Sequence, residues 1–210
     1  MKTAIDADDR FNAAFRSCPA EQFGENSSFF YRWAIFTAPS WATCLDNPMA
    51  CLNACKSGSE RACFRAARWV ERFFKETHNV EARKIYAFGC TVGSRGSCLN
   101  RGGGLRNSYL EEDTFQNDDE DQRAACEYSL FKHACSKDGK AASTGWGCAM
   151  LGQATELGQG TEFDLVEAER LYRKGMAASC VRQQDETSED RTLKPACAFA
   201  ERRLKFIRGQ

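Results

Sequence analysis

Histidine is nearly absent from this chain, two residues in 210, His78 and His133, and no two cysteines stand in a C-x2-C knuckle. Zinc sites are built from such knuckles and imidazoles, so neither a metal nor any other cofactor is expected. A charge bias is also missing. Lys plus Arg and Asp plus Glu number 29 each, which gives the whole chain no pull toward nucleic acid or an anionic membrane. No apolar run approaches the roughly 20 residues that cross a bilayer as a helix. No segment alternates with period two for long enough to read as a strand. The motifs G-x-S-x-G, H-E-x-x-H and G-x-x-x-x-G-K do not occur, which removes the usual signatures of serine hydrolases, zinc proteases and phosphate-binding loops.

Cysteine, by contrast, is plentiful: twelve residues, eight of them in a ladder of pairs. Cys55 and Cys63 have seven residues between them, and Cys90 and Cys98 repeat that spacing. Cys135 and Cys148 follow with twelve between, then Cys180 and Cys197 with sixteen. The second members recur at 35, 50 and 49 residues, the period of a helical repeat whose hairpins are clipped in series. So many thiols would be a hazard in reducing cytosol, so an oxidising compartment is expected: periplasm, extracellular space, or the mitochondrial intermembrane space. The start, MKTAIDADDR, turns charged before any apolar run develops. A periplasmic or secreted protein is nevertheless expected, with its signal peptide trimmed before Met1.

Apolar periodicity supplies the helices. In the stretch from Arg61, residues Cys63, Ala66, Ala67, Val70, Phe73 and Phe74 form one stripe at i, i+3, i+4 and i+7. His78-Asn79 breaks it, and Val80 to Cys90 reads as the next helix through Ala82, Ile85, Tyr86 and Gly89. Asp121 to Cys135 repeats the pattern, followed by Cys148, Leu151, Gly152 and Thr155, then Leu165, Ala168, Leu171 and Tyr172. Pro195, a good first-turn residue, is expected to open a final helix that runs to Ile207. The fold class is all-α, made of antiparallel helix pairs.

The stretch from Ala168-Glu-Arg-Leu-Tyr172-Arg-Lys-Gly and the stretch Cys148-Ala-Met-Leu151-Gly152 to Gly158-Gln-Gly160 resemble Sel1-like repeats. More narrowly, they are similar to the cysteine-rich Sel1-like subclass, tetratricopeptide-like proteins that include Helicobacter secreted proteins and an intermembrane-space assembly factor. Cys55-Lys-Ser-Gly58 to Cys63 and Cys90-Thr-Val-Gly93 to Cys98 match the family's helix end, Gly-containing loop and second cysteine. The resemblance covers residues 50 to 207 and implies a right-handed α/α solenoid of helix-turn-helix repeats clipped by disulfides. It divides the chain into an N-terminal capping segment, 1–45, and a repeat region, 46–210. Departures mark a divergent member. Gly102-Gly103-Gly104 is expected to fray the helix after Cys98. Met176 takes the family's cysteine position, and Gln183 to Lys194 is a polar insertion. Residues 1 to 45 match no repeat, although Phe29 to Phe36 is apolar enough for a capping helix.

A two-helix repeat cannot bury its own apolar face and borrows its neighbour's. Each nine-residue clip restrains the unfolded chain by roughly 2.5 kcal/mol in the chain-entropy account. Cys18, Cys44, Cys51 and Cys126 stand outside the ladder. Cys44 with Cys51 is one reading and Cys18 with Cys44 another; spacing does not decide between them.

Chemistry is thinly represented. Ser129-Leu-Phe-Lys132 reads S-x-x-K, the pattern in which lysine activates a serine, but S-D-N and K-T-G are missing. His133 beside Cys135 reads as a helix-end histidine. No catalytic set is assigned. Arg61, Arg65, Arg68 and Arg72 lie at i, i+4, i+7 and i+11 with Trp69 beside them, a basic stripe suited to an acidic protein partner. The acidic stretch Glu111 to Asp121 reads as an exposed loop.

The expected function is therefore non-enzymatic protein–protein interaction. The resemblance adds a particular form of it, an immunity protein that neutralises a bacterial toxin. The rival expectations are a β-lactam- or peptidoglycan-binding protein or weak β-lactamase like the Helicobacter relatives, and an intermembrane-space assembly factor.

Overall fold

A computed structural model describes residues 1–23, 39–74, 80–107, 119–136, 142–180 and 190–209. Among them all regular structure is helical: α1 (Lys2–Asp6), α2 (Asp9–Arg16), α3 (Trp41–Asp46), α4 (Pro48–Lys56), α5 (Glu60–Phe73), α6 (Val80–Thr91), α7 (Arg95–Arg106), α8 (Glu120–Cys135), α9 (Ala142–Leu157), α10 (Leu165–Ser179) and α11 (Asp190–Arg208). The protein is all-α. The boundary drawn at residue 45 falls inside α3. His78, the Phe29–Phe36 stretch, residues 111–118 of the acidic run and residues 183–189 of the polar insertion lie outside the described residues.

From α3 onward each helix packs on its successor, and the odd-numbered helices also touch in order, α3 on α5, α5 on α7, α7 on α9 and α9 on α11. Individual contacts fix the direction of each pair. Gly145 of α9 meets Ser179 at the end of α10, while Gly152, farther along α9, meets Tyr172. Likewise Gly102 meets Phe131, whereas Arg106, farther along α7, pairs with Glu127, earlier on α8. Successive helices therefore run antiparallel.

The junction sequence explains why each hairpin closes where it does. After α4, the Ser59 N–H donates to Ala54 O and the Gly58 N–H to Cys55 O, the two bonds that finish a helix on a left-handed residue. Gly58 supplies that conformation at φ 89°, which costs a side chain dearly and glycine nothing. Ser59 then caps α5, its hydroxyl accepting from the Ala62 N–H. Cys55, one residue before the end of α4, and Cys63, one turn into α5, are left facing each other and are bonded. Gly93, Ser94, Cys90 and Cys98 repeat the device between α6 and α7. Cys135–Cys148 and Cys180–Cys197 bridge the two later junctions.

Two expectations about helix limits are corrected. Gly102-Gly103-Gly104 does not fray; α7 runs through it to Arg106. Glycine in a helix interior costs about 1 kcal/mol relative to alanine, and here close packing offsets it. A Cβ on Gly102 would lie 2.8 Å from the Phe131 ring, and one on Gly104 would lie 3.2 Å from Arg83. Pro195 does not open the last helix either, but sits inside α11, a turn beyond Asp190. That early in a helix its missing N–H forfeits a single backbone bond.

Residues 1–23, expected as part of an N-terminal cap, run across α4, α6 and α8. Phe11 meets the edge of Phe88 at 4.9 Å. Lys56 of α4 donates to Ala4 O, and Lys84 of α6 pairs with Asp6 at 2.8 Å. The Arg101 guanidinium, fully buried, lies over Phe15 and donates to its carbonyl. Cys18 is then bonded to Cys126 of α8, 108 residues away, and Cys44 to Cys51. A loop of ~100 residues closed by a disulfide is restrained by about 4.7 kcal/mol in the chain-entropy account, more than any short clip. All twelve cysteines are paired, the state an oxidising compartment maintains.

Asp8 caps α2 and is pinned by Arg10 and Lys56. The Arg10 hydrogen bond, opposed by burial and aided by Lys56, holds its carboxyl at about 2, below the usual 3.8. The stabilisation is complete above 3.8 and is lost as pH falls through about 2. Asp8→Asn, which keeps the cap but not the charge, is expected to lower stability at pH 7 by about 0.5–1 kcal/mol, solvent screening reducing the worth of so exposed a pair, and to flatten the acid limb of a pH–denaturation profile. Glycine contacts generate a second, two-sided expectation. Gly103 has nothing within 4 Å of an added Cβ, whereas Gly147 would place one 2.8 Å from the Ala134 backbone. Gly103→Ala should raise unfolding free energy by about 0.5–1 kcal/mol, and Gly147→Ala should lower it by at least ~1 kcal/mol, as read by urea denaturation.

Candidate functional site

Antiparallel succession gives the helix array two edges. Where an even-numbered helix hands over to an odd one, the junction carries a clip: Cys55–Cys63, Cys90–Cys98, Cys135–Cys148 and Cys180–Cys197. The opposite edge is made where odd helices end and even ones begin, and carries one clip, Cys44–Cys51 at the α3–α4 junction. Every large apolar side chain exposed among the described residues lies there: Leu45 and Met49 at the α3–α4 junction, Phe73 and Phe74 at the end of α5, Leu157, Phe163 and Val166 around the α9–α10 junction, and Phe206 at the end of α11. Isolated exposed hydrophobics are ordinary on a protein surface, but their confinement to one edge is not.

The basic stripe of α5 ends on this edge. Cys63, Ala66, Ala67 and Val70 face the core as the periodicity predicts, and Ala62 joins them there. Phe73 and Phe74, expected in the same stripe, instead stand 50 % and 49 % exposed. The α5 face that buries alanine ends at Val70, and beyond it the two rings pack on Trp69, at 4.9 Å and 5.9 Å between centroids. The Arg72 guanidinium lies 6.0 Å over Phe73. Arg61 and Arg68 are exposed, and Arg68 reaches Glu71 at 3.2 Å. Arg65 serves a structural role instead. It is half-buried and donates to Pro39 O, and burial, then Arg61, lowers its pKa. Arg68, Trp69 and Arg72 are thus brought together with two phenylalanines, while Arg61 stands a turn and more away and Arg65 ties down the chain before α3.

Beneath the patch is a closed polar cluster. The Tyr86 hydroxyl donates to Glu71 at 2.8 Å, and Arg83, 5 % exposed, pairs with the same carboxylate at 3.4 Å. Burial, then the Glu71 charge, raises the Tyr86 pKa well above its usual value, so it remains a donor. The same arrangement recurs at α9–α10, where Tyr172 donates to Glu156 and Arg203 completes the pair. These groups hold one helix to the next through hydrogen bonds and ion pairs. The Trp69 indole N–H is buried with no acceptor among the described residues.

Other sequence candidates fall elsewhere. Ser129 is half-buried and Lys132 exposed on α8, and no hydrogen bond joins them among the described residues. His133 is occupied: its Nε2 meets Ala20 O at 3.1 Å and its ring stacks on Phe23 at 4.1 Å. Burial lowers its pKa, and its neighbour Cys135 is a disulfide, so the pair offers no thiolate. Gly158 and Gly160 are turn glycines at φ 67° and 68°, and a Cβ on Gly160 would strike the Ala124 carbonyl. Met176 packs against the apolar cluster of α9, α10 and α11. Cys180, Cys197 and Glu201 bring three potential ligand atoms within 4.8 Å of one another, but the two sulfurs are bonded to each other.

No helix among the described residues is long and apolar enough to cross a membrane. Compared with family models, curated proteins and solved structures, the chain has no match in any of the three.

Proposed function

We propose that this chain is a non-enzymatic protein-binding module of the periplasm or extracellular space, a right-handed solenoid of Sel1-like repeats that docks its partner on the edge opposite the four ladder clips. The observation that carries the reading is the gathering of exposed apolar side chains on that one edge, where Phe73 and Phe74 join Trp69 in one apolar patch, since apolar surface rimmed by charge is the usual mark of an interaction site. Aromatic and arginine side chains dominate interface energetics, and Trp69, Phe73, Phe74, Arg68 and Arg72 assemble both kinds at the end of α5. Guanidinium groups select carboxylates, so the partner presents an acidic surface with an apolar centre. Neutralising a secreted bacterial toxin is the form of binding proposed. The repeat reading draws support from the recurring Cys-x-x-Gly-Ser junction and from helices that, from α3 onward, touch chiefly the next helix and the next but one.

A pull-down under non-reducing conditions tests this, with wild type, Phe73→Ser/Phe74→Ser and Arg68→Glu/Arg72→Glu as baits. An acidic protein held by wild type should be lost at least ~10-fold from both variants, as for interface anchors. The two phenylalanines are half exposed, so both baits should keep wild-type helicity. A partner retained equally by all three baits contradicts the assignment of this edge. Covalent labelling by a tagged penicillin that disappears in Ser129→Ala would favour an enzyme instead.

A further inference from the structure

Ten of the twelve cysteines are closed to solvent, the most accessible of them being Cys18 at 6 %. Cys180 and Cys197 are the exceptions, neither being buried. Their position explains the difference. The first two ladder clips lie inside tight Gly-Ser junctions, and Cys135 and Cys148 lie within the apolar cluster that includes Phe131 and Leu171. Cys180 instead closes α10 as its last cap, its N–H donating to Met176 O. Cys197 lies on α11 beside the exposed Pro195 and Glu201. Opening a disulfide requires a thiolate to reach one sulfur along the S–S axis, so access decides which of several bridges reacts.

We propose that Cys180–Cys197 is a thiol-exchange site, the one bridge of this protein that a dithiol opens, and that the disulfide form of that dithiol closes again, while the fold stays intact. A thiolate of the dithiol attacks one sulfur, the S–S bond breaks, and the other cysteine leaves as a thiolate that takes up a proton. The second thiol of the dithiol then attacks the mixed disulfide and releases the remaining cysteine. Two electrons and two protons pass to the bridge, and the dithiol leaves as its own disulfide. The other five bridges are structural.

The last helix does not depend on this bridge for its place. Ala196, Ala200 and Leu204 are buried, the latter two against α9 and α10. Arg203 pairs with Glu156 across to α9, and Arg208 reaches Glu169 at 3.2 Å near the start of α10. Opening the clip therefore leaves α11 docked and presents two thiols at the surface. Glu201 acts on the exchange: its carboxylate lies 3.8 Å from Cys197 Sγ. A negative charge there opposes both the approach of a thiolate and the departure of Cys197 as one. Glu201 thus slows the opening of a bridge that is otherwise accessible.

Limited reduction of the folded protein tests the proposal. The chain is treated with low dithiothreitol at pH 7, quenched at intervals with N-ethylmaleimide and mapped by peptide mass, with circular dichroism recorded alongside. Cys180 and Cys197 should be labelled at least ~10-fold sooner than any other pair, with helicity unchanged. If another bridge opens first, or all six open together as helix is lost, the proposal is overturned. Glu201→Gln should open several-fold faster than wild type; an equal rate removes the carboxylate from the account. Cys180→Ser/Cys197→Ser should keep the wild-type helical signal, and its collapse would show the bridge to be structural like the rest.

Discussion

The junction between an even helix and the odd helix after it sets the rest of this structure. A glycine in the left-handed region ends one helix, a serine caps the next, and a disulfide joins the two a few residues inward. Each part does something the others cannot. The glycine reverses the chain without strain, the serine satisfies a backbone donor that would otherwise be bare, and the bridge limits the unfolded chain. Once two such junctions exist, the hairpins between them have their direction and spacing. Small residues then allow the close packing, as Gly102 does under Phe131 and Gly147 against Ala134. A chain whose apolar faces are rich in alanine and glycine buries little area per residue, and covalent junctions compensate for that.

Local features of this scheme could be read from the residues in order. The α5 stripe through Cys63, Ala66, Ala67 and Val70 is a local periodicity, and the core uses those four residues. The features that escaped reading all depend on contacts between distant segments. Gly102 to Gly104 looks like a helix breaker until Phe131 and Arg83 are known to lie against it. Cys18 and Cys126 are 108 residues apart, and no spacing rule spans such a distance. Phe73 and Phe74 have the right period for burial, but α5 carries them past Val70 to the open edge. The arginines of the candidate site could be named from the sequence, yet their roles could not: Arg65 is engaged by Pro39 while Arg72 covers Phe73.

The array divides labour between its edges. Four closed junctions stiffen one edge, and the exposed apolar side chains gather on the other, where Cys44–Cys51 is the single clip. The N-terminal segment adds a third restraint by crossing α4, α6 and α8 and ending in a covalent tie. Repeat arrays whose units contact only their neighbours open locally. A strap bonded at Cys126 and anchored by Arg101 couples hairpins that would otherwise open separately. That restraint would set the shape of the proposed docking edge before a partner arrives, which would reduce the ordering cost of association.

The covalent pattern underlies all of this, and peptide mapping of the unreduced protein tests it most directly. Digestion at acidic pH, where thiolates do not exchange, should yield a linked peptide containing Cys18 and Cys126, five local linkages with Cys44 joined to Cys51, and no free thiol. A Cys18–Cys44 linkage, or an unpaired Cys126, would contradict it.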